Sequence, residues 1–358
     1  SVNGWILLLD NVNSFNDIKD LLPKSSRGRV VITLVEPTDL PETQACIQLE
    51  PLTMTASVEL LKKLSQTNDS SQAEALAKAV KQLPLALRQA AALVAANPST
   101  NSMGNLADKI SSAPEKNEDE EDHVYKALWR EQEIWLTSWH FLGWRDSASL
   151  KLVRSMSLLS HRGVSKKLLE QCMTQNSDLE GSLRELQRLS LVWTDSENRK
   201  VYMHQVNHEV IAEGLLESGS GSANIFIDVL QCLQPRKKDS SWQQWWYPAS
   251  FHRVSDQTLW HIQSVLQKLE SPRVKFLPAS RAEFDTLNDL RFTAILSSSG
   301  YLWHHHGKHN DVQETVRKES MRWKKGTLQH ALCTSLLAAV TSDSARRNSF
   351  KLHEESLK

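Results

Sequence analysis

The sequence predicts a mainly α-helical protein with a small α/β part at its start, and three patterns indicate this fold class. Two short apolar runs, WILLLDNV over residues 5–12 and GRVVIT over residues 28–33, are typical of buried parallel strands. Most of the remaining chain places its apolar residues at helical spacing. A β-hairpin pattern over residues 190–204 interrupts these helices.

The α/β part, residues 1–48, carries a polar side chain near the end of each predicted strand. Asp10 lies in the first strand and Thr33 ends the second. Ligands of open α/β sheets bind at the carboxyl ends of the strands, so this pair marks a candidate ligand-binding edge. Residues 14–24 between the strands have one apolar and one polar side, which predicts a crossover helix. Together these patterns predict half of a phosphate-binding sheet.

The other half of such a sheet would need a glycine-rich loop, G-x-x-x-x-G-K-[ST], before the acidic strand. The N–H groups and the lysine of that loop hold the phosphates. Gly4 is the only glycine before Asp10, and the sequence contains no Gly-Lys-Ser or Gly-Lys-Thr. We therefore expect the chain to be a fragment or a truncated gene product, cut just before the first strand.

Residues 49–112 predict a helical unit. Its expected helices start at Thr53 or Thr55, at residue 73 and at residue 88. Pro84 suits the first turn of the third helix, where the missing N–H of proline has no partner to lose. Residues 113–124, which are rich in Asp and Glu, predict a solvated acidic linker.

Residues 125–217 predict a second unit, in which helices precede a β-hairpin. The hairpin strands are expected over 190–194 and 200–204, joined by a turn over 195–198. Three helices followed by a hairpin are the pattern of a winged helix. His204 lies where the hairpin ends and the next helix begins.

Residues 224–358 follow a Gly/Ser-rich stretch and predict further helices. VRKESM over 316–321 returns weakly as LHEESL over 352–357, at an offset of 36 residues. Helix pairs that repeat about every 34 to 42 residues build α-solenoids of the tetratricopeptide (TPR) kind. The sequence therefore predicts an α-solenoid at this end of the chain.

Composition narrows the function classes. Lys+Arg and Asp+Glu are equal at 42, so no overall basic field favours nucleic acid or an anionic membrane. The sequence contains no apolar stretch long enough to span a bilayer. The four cysteines lack metal-ligand spacing and favour a reducing compartment, so a cytoplasmic location is expected.

The order of these motifs resembles the NB-ARC class of STAND NTPases, and within it the NB-ARC–tetratricopeptide proteins of filamentous fungi, relatives of NOD-like immune receptors. The motifs that carry the resemblance are WILLLDNV, GRVVIT, QLEPLTMTASVELLKKL, LPLALRQAAALV and YMHQVNHEVI. It extends from residue 1 to about 217 and continues weakly over 292–358. It implies a truncated P-loop NTPase sheet, then an ARC1-like helical domain, a winged helix and degenerate TPR-like repeats.

The resemblance also implies site residues. Asp10 corresponds to the Walker B acid, which holds Mg²⁺ through water, and Thr33 lies in the sensor 1 strand beside the nucleotide. Pro84 corresponds to the proline of the GLPLA motif that packs on adenine. His204 corresponds to the winged-helix histidine that contacts the β-phosphate of ADP. The implied cofactor is ADP or ATP with Mg²⁺.

Two positions depart from the family pattern and argue against hydrolysis. The second acid, which polarises the attacking water, is Asn11 here, and an amide cannot act as a base. The sensor 1 position, usually arginine, is Val35. No catalytic residue is therefore expected, and the chain is predicted not to be an active NTPase.

Three functions follow as hypotheses. The first is a signalling switch, ancestrally an ADP/ATP-binding oligomerisation platform with a TPR-like sensor. The second is a nucleotide-independent scaffold that binds protein partners through the TPR-like region, with or without forming a homo-oligomer. The third is DNA binding by the winged helix, which is less favoured because its candidate recognition helix, 179–188, contains two arginines but also two glutamates.

Overall fold

The computed structural model describes most of the chain and is mainly helical with a small sheet part, as the sequence predicted. The described residues are 4–12, 14–23, 27–34, 46–96, 102–112, 138, 147–173, 177–217, 222–233, 255–271 and 280–342, except 198, 326, 328 and 331. The predicted acidic linker 113–124, the sensor 1 position Val35 and the second repeat copy, 352–357, lie outside them.

Two parallel strands form the start of the fold. They are β1 (Trp5–Val12) and β2 (Gly28–Leu34), and Leu9 lies opposite Ile32 in their register. The parallel pairing confirms the strand prediction, but the prediction that both faces are buried is wrong. Ile6 is 75% exposed because none of the described helices packs extensively on that face.

The predicted crossover helix over residues 14–24 is also wrong. The segment forms two short 3₁₀ helices, Phe15–Asp17 and Lys19–Leu21. Ser14 accepts a hydrogen bond from the N–H of Asn16, which favours a tight turn. Leu21 is 76% exposed, so the apolar side of the segment buries too little surface to support a full helix.

Four helices form the next unit. They are α1 (Met54–Ser65), α2 (Ser70–Ala79), α3 (Pro84–Ala96) and α4 (Met103–Ser112). The prediction of Thr53 as the first cap is confirmed, since its side chain accepts a hydrogen bond from the N–H of Ala56. Pro84 lies in the first turn of α3 as predicted, but the helix begins at Pro84 itself, four residues before the predicted start at residue 88. Leucine and alanine side chains of α1 to α4 are fully buried against one another.

The second unit combines helices with a three-stranded sheet. In chain order it contains α5 (Ser147–Leu158), β3 (Val164–Ser165), α6 (Lys166–Cys172), α7 (Leu179–Arg188), β4 (Val192–Thr194), β5 (Lys200–Met203) and α8 (Gln205–Glu217). The sheet order is β3-β5-β4 with antiparallel pairs, which confirms the predicted hairpin.

The remaining helices pack on this unit and on one another. They are α9 (Ser222–Leu233), α10 (Asp256–Leu269), α11 (Arg281–His306), α12 (His309–Met321) and a helical segment over 329–342. The helices α10, α11 and α12 are 14, 26 and 13 residues long, so the described part does not show a repeat of equal helix pairs. None of the described helices combines the length and apolar character needed to cross a bilayer.

Candidate functional site

Asp10 and Thr33 meet at the carboxyl ends of the two parallel strands. The Thr33 hydroxyl donates a hydrogen bond of 2.6 Å to Oδ1 of Asp10, and both side chains are exposed. They lie on the same face because β1 and β2 run in parallel with Leu9 opposite Ile32. Carboxylate and hydroxyl oxygens are ligands that Mg²⁺ accepts, directly or through water. The pair therefore fits the predicted metal role in its chemistry. Asn11 also lies in β1.

Pro84 follows a strained turn. Lys81 and Gln82 have φ values of 50° and 60°, a left-handed conformation that residues with a β-carbon rarely adopt. The N–H of Gln82 donates to the carbonyl of Ala77, and its own carbonyl accepts from Leu52. These bonds hold the turn and fix where α3 begins. The Pro84 ring is exposed at that start.

His204 caps α8. Its Nδ1 accepts a hydrogen bond of 3.3 Å from the N–H of Val206, in the first turn of the helix. A ring that accepts at Nδ1 and is neutral carries its proton on Nε2. Desolvation lowers the pKa of His204 and the Glu209 carboxylate opposes this, so the neutral form is favoured. Its side chain remains accessible to solvent, so the ring can donate to a ligand.

A buried hydrogen bond joins the helices of Pro84 and His204. Nε2 of Gln89, on α3, donates to Oδ1 of Asn207, on α8, at 2.7 Å. The two residues are only 2% and 5% exposed. Gln89 lies five positions after Pro84, and Asn207 lies three after His204. The bond therefore links the helix that Pro84 starts to the helix that His204 caps.

The Nδ2 amide nitrogen of Asn207 is buried and has no hydrogen-bond partner among the described residues. A buried donor without a partner destabilises the fold, so such groups are commonly satisfied by water or a ligand. The Asn207 amide therefore carries an unsatisfied donor inside the contact between α3 and α8.

The four predicted site residues thus fall into two pairs. Asp10 is bonded to Thr33, and the helix that Pro84 starts is bonded to the helix that His204 caps. The described contacts do not bring the two pairs together. Sequence reasoning missed Gln89 and Asn207, although a single amide in the apolar run PLALRQAAALVAA was a signal that it has a buried partner.

A second cluster of titratable residues lies where α5, α8 and α10 meet. His208 donates through Nε2 to the carbonyl of Leu159, and Nδ1 of His261 accepts from the N–H of Ser160 at 3.0 Å. Ser264 also donates to the Leu159 carbonyl, and Lys268 donates to Ser264 at 2.8 Å. These side chains satisfy the backbone groups just past the end of α5.

Burial holds both histidines of this cluster neutral. Desolvation, with Lys268 adding to it, lowers the pKa of His208 to about 3 against the hydrogen bond to Leu159. Desolvation, with a smaller effect of Lys200, lowers the pKa of His261 to about 4. Desolvation also lowers the pKa of Lys268 to about 8. The cluster stabilises the junction only while its imidazoles are unprotonated.

Two basic side chains of α6 and α7 are firmly paired with acids. Arg188 makes two hydrogen bonds to Glu185, at 2.9 and 2.7 Å, and Lys166 contacts Glu180 at 2.6 Å. A helix that reads DNA presents unpaired cations to phosphates and base edges. These two pairs reduce the positive charge that α6 and α7 can present to DNA.

No protein-family model matches the chain, and no curated protein is similar to it at a significant level.

Proposed function

We propose that this chain is a STAND-type regulatory protein of the NB-ARC kind, which descends from an ADP/ATP-binding oligomerisation switch and acts through protein–protein contacts. The observation that carries the proposal is the buried bond between Gln89 and Asn207, which joins α3, the helix that Pro84 starts, to α8, the helix that His204 caps. In the family, the starts of the corresponding helices carry the adenine-packing proline and the phosphate-contacting histidine. The resemblance assigns these two roles to Pro84 and His204.

The order of elements supports the same proposal. The three-stranded sheet β3-β5-β4, with α5 before it and α6 and α7 inserted in its sequence, has the connectivity of a winged helix. It follows a parallel strand pair and a four-helix unit, which correspond in order to the nucleotide-binding and ARC1-like parts. By their position in the chain, we assign the helices after α8 to the TPR-like sensor of this proposal.

The conformation of the turn before Pro84 also supports the resemblance. The family motif is GLPLA, and its glycine corresponds to Gln82. Gln82 has a φ of 60°, which glycine adopts without steric strain. The backbone at this position therefore has the conformation that favours the glycine of the family motif, even though another residue occupies the position here.

Titration calorimetry with Mg-ADP and Mg-ATP tests the nucleotide part of the proposal. Since this sequence contains no glycine-rich phosphate loop, we expect weak binding, with a Kd of about 0.1–1 mM, or −4 to −5.5 kcal/mol. His204→Asn keeps a side chain that caps a helix but removes the imidazole, and should weaken ADP binding about tenfold. Asp10→Asn should abolish the Mg²⁺ dependence.

Two control variants match these substitutions. Asp20→Asn changes another acid of the α/β part, and His306→Asn changes an exposed histidine on α11. Neither should alter the affinity. Absence of heat at millimolar nucleotide, in wild type and controls alike, would overturn nucleotide binding by this chain.

A nucleotide-independent scaffold is the second candidate, and the packing of α11 and α12 favours it. These helices share a separate apolar core that includes Phe292, Val312 and Val316. Antiparallel helix pairs of this kind provide grooves for peptides or partner helices. If a protein partner binds equally well with and without nucleotide, and to His204→Asn, the scaffold function is supported and the switch is not.

A further inference from the structure

Two cysteines that lie far apart in the sequence are adjacent in the structure. Cys172 is the last residue of α6, and Cys232 lies near the end of α9, 60 positions later. Both are free thiols. Their spacing gave no sign of a pair, since no C-x-x-C or similar motif contains them.

Two contacts define the juxtaposition. The Cys232 thiol donates a hydrogen bond of 3.0 Å to the carbonyl of Gln171, which is bonded directly to the nitrogen of Cys172. A hydrogen-bonding contact with the Cys232 side chain is also the largest cause that raises the pKa of the Cys172 thiol. The helices α6 and α9, which carry the two cysteines, pack against each other, and a disulfide between them needs Cα atoms no more than about 7 Å apart.

Access differs between the two thiols. Cys172 is buried, at 3% exposed, whereas Cys232 is partly exposed. An oxidant from solvent therefore reaches Cys232 first. Cys172 follows Gln171, whose carbonyl contacts the Cys232 sulfur, so it lies beside the modified sulfur in the arrangement of a resolving cysteine.

The surroundings keep the pair reduced at rest. The hydrogen bond with Cys232, desolvation and the charges of Cys232 and Asp228 raise the pKa of the Cys172 thiol, and Lys151 opposes them. Lys151 and Asp228 form an ion pair at 2.6 Å beside the cysteines. Both cysteines also lie at the carboxyl ends of their helices, where the helix dipole disfavours a thiolate. Reaction with an oxidant is therefore slow, because only the small thiolate fraction of Cys232 reacts.

We propose that Cys172 and Cys232 are an oxidation site, which a peroxide converts into a disulfide between α6 and α9. This proposal concerns a different region from the nucleotide site and does not rest on the proposed function. The thiolate of Cys232 attacks one oxygen of hydrogen peroxide, and the O–O bond breaks to give a sulfenic acid and hydroxide, which takes a proton to form water. The Cys172 sulfur then attacks the sulfenic sulfur, and the leaving hydroxide takes the Cys172 proton as a second water. In total, two thiols are oxidised and one peroxide is reduced to two waters.

The disulfide would fix the three-stranded sheet unit to the helix that follows it. It closes a loop of about 60 residues, which reduces the conformational freedom of the unfolded chain. The expected effect is a rise in Tm of about 5–10 °C on oxidation. The rise should reverse when the bond is reduced.

Peptide mapping tests the proposal directly. The purified chain is treated with hydrogen peroxide, its remaining thiols are blocked, and it is digested with trypsin without reduction. Cys172 lies in tryptic peptide 168–184 and Cys232 in peptide 201–236. We expect these two peptides to appear as one linked species by mass spectrometry, and to separate after reduction.

The other cysteines provide matched controls. Cys46→Ser removes an exposed thiol and Cys333→Ser removes a buried one, and both variants should still form the link. Cys232→Ser should abolish the link and the rise in Tm. If wild-type protein that remains folded gives only sulfinic or sulfonic acid at Cys232, or only links between chains, the proposal is overturned. Because the wild-type map decides this, misfolding of a variant leaves the test valid.

Discussion

Acid should destabilise this protein through the junction of α5, α8 and α10, and His208→Gln should remove about half of that effect. His208 is 5% exposed and donates to the carbonyl of Leu159. Glutamine also has an N–H donor but does not titrate, so the substitution removes the proton-binding group while retaining a side chain that can make the bond.

The sign of the pH effect on stability follows from the number of protons that the folded and unfolded chains bind. Desolvation lowers the pKa of His208 to about 3 and that of His261 to about 4 in the folded protein. Unfolded histidine has a pKa of about 6.5, so between these values the unfolded chain binds more protons. The stabilisation is complete above about pH 6.5 and is lost progressively as the pH falls below it. At about pH 5 each histidine contributes about 2 kcal/mol less to the free energy of unfolding than at high pH, and the two together contribute about 4 kcal/mol less.

Urea unfolding at a series of pH values between about 8 and 5 measures this loss. Over that range the free energy of unfolding should fall by about 4 kcal/mol in wild type and by about 2 kcal/mol in His208→Gln. The variant is compared with its own value at pH 8, so any cost of the substitution itself cancels. His306→Gln, which changes an exposed histidine, should behave as wild type.

Equal losses in wild type and His208→Gln would refute the reasoning. They would mean that the imidazole is already protonated in the folded protein, or that solvent reaches the junction. A double variant of His208 and His261 that still loses about 4 kcal/mol would lead to the same conclusion.

The remaining predictions concern stability elsewhere and are measured by urea unfolding at neutral pH. Gly163→Ala should lower the free energy of unfolding by about 2 kcal/mol, because φ is 92° and a β-carbon would lie 2.5 Å from the Tyr202 ring. Gly214→Ala is its control and should be neutral or stabilising, since nothing lies within 4 Å of a β-carbon there. A loss at both glycines would contradict the argument. Arg291→Met should cost about 2 kcal/mol, because it removes the 2.7 Å ion pair with Glu319, which is 3% exposed. Glu319 then keeps Trp323 at 3.0 Å and Arg322 at 3.4 Å as partners. A loss below about 1 kcal/mol would show that Trp323 and Arg322 are sufficient partners for Glu319.

Local patterns predicted the elements well where a few neighbouring residues decide the conformation. Thr53 caps α1, Pro84 begins α3, and the strands around residue 196 pair as a hairpin. The prediction of a helix over residues 14–24 was wrong. Its apolar side suggested a helix, but a serine-capped tight turn and the exposure of Leu21 leave only short 3₁₀ helices.

The candidate site was predictable only in part. Parallel strands end at one edge, so the contact between Asp10 and Thr33 could be expected from the strand assignment. The bond between Gln89 and Asn207 could not, since 118 positions separate them and no local pattern relates them. The exposure of one face of β1 also could not be predicted from the sequence, because an apolar run is buried only if other elements pack on both faces of the strand.

The sequence by itself determined most of the helices and strands and several of their ends, because caps, turn residues and apolar periodicity act between residues within a few positions. Only the tertiary structure decided which polar groups became partners: Cys172 with Cys232, and His208 with the end of α5. Such contacts depend on how whole helices pack. Packing also sets the desolvation that fixes the charge of each buried group, and no local stretch of sequence contains that information.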